Sequence, residues 1–192
     1  MAETRLKVTY SVTSTTYSTQ LFKTSYFSKA ELADGTELPS NIFDVGNHAY
    51  VFSATGDNVV FYTMTGNTIG GEAFEGMTRI VAVDIPSTVT TLGERCFRNC
   101  TNLSSVTLAD TVSSFGEGVF DADVAMESIV IPSTAVTMNS KVFRGCTSLT
   151  SITMSDTTAP AVSADTFYQV QTGGTLYYPS GSTYSNWLSN NE

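Results

Sequence analysis

The stretch ERCFRNCTNLSSVTLADTVSSFGE, residues 94–117, acquires its meaning beside the two that follow it, GVFDADVAMESIVIPSTAVTMNS (118–140) and KVFRGCTSLTSITMSDTTAPAVSA (141–164). Set under one another, they return a phenylalanine to the same place. From Phe74 to Phe97, Phe120 and Phe143 each step is 23, and the last step, to Phe167, is 24. A fixed period of this size is the mark of a solenoid, in which each unit buries its apolar face against the next. Other columns keep step. Six residues after each phenylalanine stand Ile80, Leu103, Met126 and Leu149; nine after, Val83, Val106, Ile129 and Ile152; eleven after, Ile85, Leu108, Ile131 and Met154; eighteen after, Leu92, Phe115 and Met138.

The two-residue step between the nine and eleven columns is strand periodicity, both side chains pointing to one face. Pro86, Pro132 and Pro179 follow it, and a residue without an N–H suits a strand end. Gly93 and Gly116 then mark a turn. Each unit is therefore expected to be a short strand, a turn, a second extended piece and a helical or 3₁₀ turn that carries the phenylalanine inward. In VVFYTMTGNTIG, Val60, Tyr62 and Ile69 stand 23 before Val83, Ile85 and Leu92, so the ladder is expected to extend backwards by half a unit. The last unit carries one extra residue in SDTTAPAVSADTF and places Leu176, Tyr178 and Pro179 in the strand columns, with Trp187 and Leu188 expected to cap the exposed end.

Residues 1–58 do not repeat. LKVTYSVT alternates Leu6, Val8, Tyr10 and Val12 as a strand does, and Asp-Gly in KAELADGTELPS and Gly-Asp-Asn in YVFSATGDNVVFYTM mark turns between extended runs. The expected organisation is a β-rich N-terminal cap over 1–58, continuous with a leucine-rich repeat solenoid and its C-terminal cap over 59–192.

These units resemble the BspA-like leucine-rich repeat family, whose repeats read approximately IPSSVTSIGxxAFxGCxxLTSVT. The counterparts here are IPSTVTTLGERCFRNCTNLSSVTL and IPSTAVTMNSKVFRGCTSLTSITM. The tail resembles the family too, TTAPAVSADTF its proline-containing turn and LYYPSGSTYSNW its closing strand. The resemblance covers residues 60–188. It implies a β-rich solenoid displayed on a cell surface and binding host proteins or other cells. It supplies no catalytic residues, and fold alone does not assign function.

Composition narrows the partners. The 192 residues hold 9 Lys and Arg against 18 Asp and Glu, a formal charge of −9. Nucleic-acid binding rests on neutralising phosphates with basic residues, so neither nucleic acid nor anionic lipid is an expected partner. No apolar run approaches the roughly 20 residues of a spanning helix, so membrane insertion is not expected, and MAETRLKVTYSV shows no secretory signal.

The candidates for chemistry are few. Cys100 and Cys146 share a column with Met77, Asp123 and Val170, two units and roughly 10 Å apart, beyond disulfide reach. Cys96 shares a small slot with Ala73, Val119, Val142 and Thr166. All three read as packed thiols, a Cys96–Cys100 redox pair being the alternative. His48 is the one histidine, and it stands in the non-repeating region with no nucleophile set around it. Glu94 and Glu117, Asp110 and Asp156, and Asp121 with Asp123 read as solvated turn acids that keep the solenoid soluble; a calcium site at Asp121 and Asp123 lacks a spaced oxygen-ligand loop. Neither enzyme chemistry nor a cofactor or metal is expected.

What remains is surface. The outward strand position holds Phe61, Asp84, Thr107, Val130, Thr153 and Tyr177; two residues earlier come Val59, Ala82, Ser105, Ser128, Ser151 and Thr175. Two stripes of small, β-branched and hydroxyl side chains, with aromatics at the ends, suit broad contact with a protein or a polysaccharide. Phe61, Asp84, Ser105, Thr107, Ser128, Val130, Ser151, Thr153 and Tyr177 are the candidate contacts. The expected function is recognition or adhesion outside a cell or on a virion. The alternative is a bacteriophage decoration, fibre or tail component docking to another virion protein through its N-terminal region, which the signal-free start suggests.

Overall fold

The computed structural model describes residues 5–16, 19–23, 27–40, 49–162 and 165–181. Over the described residues from Thr68 to Gly181 the chain winds as a β-solenoid, one turn to each sequence repeat, and each turn has three sides. One side is a short strand: β7 (Ile80–Asp84), β9 (Ser105–Thr107), β11 (Ser128–Ile131), β13 (Ser151–Met154) and β15 (Thr175–Tyr177). The second is a two-residue strand: β6 (Thr68–Ile69), β8 (Thr91–Leu92), β10 (Ser114–Phe115), β12 (Thr137–Met138) and β14 (Ala161–Val162). The third is the turn that carries the phenylalanine. All pairing between these strands is parallel and in register with the repeat, Val83 beside Val106 and Ile129 beside Ile152 beside Leu176. The second side is one five-stranded sheet from β6 to β14, whereas the ladder on the first side stops between β9 and β11.

The apolar columns form the core. Ile69, Leu92, Phe115 and Met138 fill it from the second side, and Ile80, Leu103, Met126 and Leu149 from the end of the third. Through the middle runs an aromatic stack. Phe74 to Phe97, Phe97 to Phe120, Phe120 to Phe143 and Phe143 to Phe167 have ring centroids 5.2, 5.8, 5.7 and 5.7 Å apart, with interplanar angles of 4° to 13°. Offset-stacked rings at this spacing add attraction beyond their buried area.

The turn that carries each ring contains i→i−3 hydrogen bonds, such as Glu75 N to Glu72 O and Met77 N to Phe74 O, but no run of helix. The reason is the backbone at two positions per unit. The residues two before and two after each phenylalanine have positive φ: Glu72 and Gly76, Arg95 and Asn99, Gly118 and Ala122, Lys141 and Gly145, Asp165 and Gln169. A left-handed residue every fourth position breaks a right-handed helix and turns successive peptide groups along the solenoid axis. They then bond to the next turn: Phe74 N to Cys96 O, Phe97 N to Val119 O, Phe120 N to Val142 O and Phe143 N to Thr166 O. Side chains add to this stitching, because the hydroxyls of Thr111, Thr134 and Ser104 donate to the carbonyls of Val89, Val112 and Val81 one turn back.

Ala122 holds φ of 64° where two equivalent positions have glycine. Left-handed backbone costs an L-residue about 1–2 kcal/mol, partly offset by the greater chain entropy glycine loses on folding. Ala122→Gly is therefore expected to stabilise the protein by roughly 0.5–1 kcal/mol, a rise of a few degrees in thermal midpoint. A lowered midpoint would mean that the Ala122 methyl packs better than its backbone strains.

Ahead of the solenoid lie β1 (Leu6–Val12), β2 (Thr19–Gln20), β3 (Phe27–Leu32), β4 (Ala49–Tyr50) and β5 (Gly56–Met64). β2 pairs with β4. β1 is inserted between β5 and β7, antiparallel to both, giving the order β3-β5-β1-β7-β9. This corrects the expected backward extension of the ladder. Ile69 continues the repeat on the second side, next to Leu92, but Val60 and Val83 are both paired to Val8 rather than to each other. β1 alternates buried Leu6, Val8, Tyr10 and Val12 with half-buried residues, so its inner face seals the first turn. Phe22, Phe27, Tyr62 and Phe74 meet edge-on or tilted at 4.7–5.8 Å there. Trp187, Leu188 and His48 lie outside the described residues.

Candidate binding surface

Insertion of β1 changes the composition of the outward face. The stripe reads Glu31, Phe61, Lys7, Asp84 and Thr107 along paired residues, and then, beyond the ladder break, Val130, Thr153 and Tyr177. The second stripe reads Val59, Thr9, Ala82 and Ser105, then Ser128, Ser151 and Thr175. The nine candidate residues therefore lie on one face, but Phe61 is separated from Asp84 by Lys7. Lys7 and Thr9 join the face without having been singled out. The alternation of LKVTYSV already pointed them outward; what it lacked was any indication of which strands β1 would pair with.

The two halves of the face differ in chemistry. In the first half charges are neutralised in pairs: Lys7 to Asp84 at 2.6 Å, Arg5 to Glu31 at 2.6 Å, Lys29 to Glu31 and Glu37 at 3.0 and 3.2 Å. The Arg5 guanidinium lies 4.6 Å over the Phe61 ring, which leaves that ring half-buried. Lys29 in turn holds the Glu31 carboxyl below its usual range. In the second half, β9, β11, β13 and β15 contain no charged residue. Val130 and Tyr177 are 57% and 54% exposed, Thr107, Ser105 and Ser128 are exposed, and Ser151 and Thr153 are half-buried.

The turn side carries a second arrangement. One residue after each phenylalanine stand Glu75, Arg98, Asp121 and Arg144, alternating in sign. Lys23 meets Glu75 at 3.0 Å, Arg98 meets Glu75 at 3.1 Å and Asp121 at 3.3 Å, and Arg144 grips both oxygens of Asp121, Nε to Oδ1 at 2.9 Å. Burial raises the Glu75 carboxyl, but Lys23 and Arg98 outweigh it and hold the group below its ordinary value. Where Gly118 interrupts the neighbouring column, Arg95, Arg98, Glu117, Asp121, Lys141 and Arg144 surround a depression of about 210 Å³. Every cation there faces a carboxylate, Lys141 on Glu117 at 2.6 Å and Arg95 on Glu94 at 2.9 Å. The ladder holds successive turns in register.

Asp121 and Asp123 are thus not solvated turn acids. Both are buried, at 4% and 0% exposure: Asp121 because two arginines one turn away on either side enclose it, Asp123 because its column points into the core. Among the other acids, Glu94 and Asp110 are exposed and Asp156 is half-buried. The three cysteines are free and buried. Burial pushes all three thiols up, away from the thiolate that nucleophilic chemistry needs. Among the described residues no group of three His, Cys, Asp or Glu could hold a metal, and no helix is long and apolar enough to cross a membrane.

Comparison with known proteins accords with this geometry. The model of the BspA type leucine-rich repeat region matches in six copies, over residues 15–150 and 67–185. No curated protein matches. The crystal structure of a leucine-rich cell surface protein from Faecalibacterium prausnitzii A2-165 is similar over 65% of this chain, with 25% identity and a TM-score of 0.56. The matched region is 32% of that protein, so this chain spans about a third of its length. A leucine-rich repeat protein from Bacteroides capillosus ATCC 29799 is similar at 20% identity and a TM-score of 0.41, over 62% of this chain and 67% of its own.

Proposed function

Because the chain belongs to the BspA-type leucine-rich repeat family, we propose that it is a non-catalytic recognition module of an extracellular surface, binding through the uncharged half of its outward sheet face. The observation that carries this reading is the contrast within the molecule. A chain with a formal charge of −9 presents strands β9 to β15 without a single charged residue, bearing hydroxyls and the open ring of Tyr177. Stripes repeating at about 4.8 Å suit an extended, uncharged ligand, and an aromatic ring beside hydroxyls is the surface on which a neutral polysaccharide packs. An acidic glycan would meet repulsion from the rest of the chain. The surface origin of the Faecalibacterium protein supports placing this module outside the cell.

Binding to immobilised xylan, laminarin, mannan and host matrix proteins tests the reading. We expect saturable binding to a neutral polysaccharide, weakened at least tenfold by Val130→Glu or Thr107→Glu, because each would force a charge into a desolvated contact. Binding that survives both substitutions would overturn the face assignment. Binding only to a matrix protein, and lost in both variants, would keep the face and change the ligand class.

A further inference from the structure

Asp123 occupies a column otherwise filled by Met77, Cys100, Cys146 and Val170, and it is fully buried. Its cysteine neighbours show what that position does. Cys100 Sγ donates to the Phe74 carbonyl at 3.1 Å, and Cys146 Sγ donates to the Phe120 carbonyl at 3.1 Å, each 26 residues back. Those two carbonyls also accept a turn bond, from Met77 N and Asp123 N, so each takes two bonds. The equivalent carbonyl for Asp123 is that of Phe97, which takes the turn bond from Cys100 N and lacks a thiol. Asp123 Oδ1 accepts from Cys100 N at 2.8 Å, while Oδ2 is buried with no hydrogen-bond partner among the described residues. A carboxylate oxygen cannot donate; a protonated one can.

We propose that Asp123 is held as a neutral carboxylic acid in the folded protein, a proton on Oδ2 donating to the Phe97 carbonyl in the role that Cys100 and Cys146 fill with thiols. Folding then takes up a proton at this site. The groups around it give ionisation no help. Cys96 and Cys100 face it from the turn before and Cys146 from the turn after, all neutral, with Tyr10 and Lys23 beyond Cys100. Asp121 on its own turn is a like charge, and its two arginines are already engaged. Burial is the largest influence and pushes the carboxyl well up, Cys100 N–H acts the other way, and Asp121 adds to the rise.

The sign of the pH dependence follows. A carboxyl raised in the folded state contributes stability that is complete below the unfolded value, near 4, and is lost as pH climbs through the folded value. Between the two, the folded-to-unfolded ratio falls tenfold per pH unit from this group alone. Other carboxylates titrate as well, so the comparison is with D123N, which keeps a donor and cannot ionise, and D123C, which matches the column.

Denaturant unfolding of all three proteins from about pH 5 to about pH 9 spans the window in which a buried carboxyl titrates. The stability advantage of each variant over the parent is expected to widen with pH by up to tenfold per unit, then level off. In the parent at neutral pH, infrared spectra should show a protonated-carboxyl stretch that is absent from D123N. Parallel pH curves for parent and variants would overturn the proposal. So would the absence of that band, which remains readable should either variant fail to fold.

Discussion

Gly116→Ala is expected to destabilise the protein by about 3 kcal/mol or more, at the upper end of what overpacking costs. A methyl at Gly116 would stand 2.6 Å from Glu94 N, 2.8 Å from Gly93 C and 3.0 Å from Glu94 Cα. All three are backbone atoms of the previous turn, and none can rotate away. Nor can the turn retreat, because Gly116 N donates to Leu92 O at 2.8 Å and the parallel pairs Ser114 with Thr91 and Phe115 with Leu92 fix the spacing. Gly93 is held in the same way, its added methyl 2.7 Å from Ile69 O. The next residue in the column is Asn139, which carries a side chain and is exposed; Asn139→Gly is the control and should change stability by less than about 1 kcal/mol. Guanidinium unfolding monitored by circular dichroism checks both. A Gly116→Ala protein with an unchanged midpoint would show that the turns can separate locally.

Phe97→Ala is expected to cost about 3–5 kcal/mol. The ring is fully buried between Phe74 at 5.2 Å and Phe120 at 5.8 Å. Its removal opens a cavity whose walls belong to two other turns, and these are tied to the Phe97 turn by backbone bonds, so collapse is restricted. Phe167 at the last turn is half-buried, with Phe143 as its stacking neighbour. Phe167→Ala should cost less than half as much, since exposed area lost from the stack was never removed from water. Equal losses at the two positions, read from the same denaturant curves, would mean that the stack stabilises as one unit rather than turn by turn. In a solenoid, where each repeat meets its neighbours alone, the graded result is the physical expectation.

The contrast between the two halves of the chain explains what could be read in advance. Within the solenoid each residue meets its equivalent one repeat on, so the contact map is written along the sequence as columns. Phe74 to Phe143, the strand columns of the inner turns and the glycine turn were legible for that reason, and they prove buried or paired as their columns require. The last turn departs, since Phe167 is half-buried and Tyr178, expected in a strand column, is 45% exposed just beyond β15, with no further described turn to cover it. The left-handed positions two before and two after each phenylalanine were not legible as such. Glycine marks some of them, but Glu72, Arg95, Asn99 and Lys141 hold the same conformation, because inter-turn hydrogen bonds impose it whatever the side chain.

The charged columns were misread for a different reason. Aspartate is rarely buried, so composition assigns Asp121 and Asp123 to solvent. Yet Arg98 and Arg144 stand one repeat before and one repeat after Asp121, and that alternation was present to be seen. For Asp123 no compensating charge stands in its column, but the column itself, otherwise thiols, a thioether and a valine, marks a core position.

The repeat, its period, its apolar core and the family to which it belongs were thus determined by the sequence itself, because local spacing and stacking are one-dimensional properties. The tertiary structure alone decided where β1 goes, and with it the makeup of half the outward face. A strand outside the repeat has no periodic partner. Its place between β5 and β7 is set by competition for open sheet edges, by the aromatic cluster it covers and by the ion pair that Lys7 makes with Asp84, far along the chain.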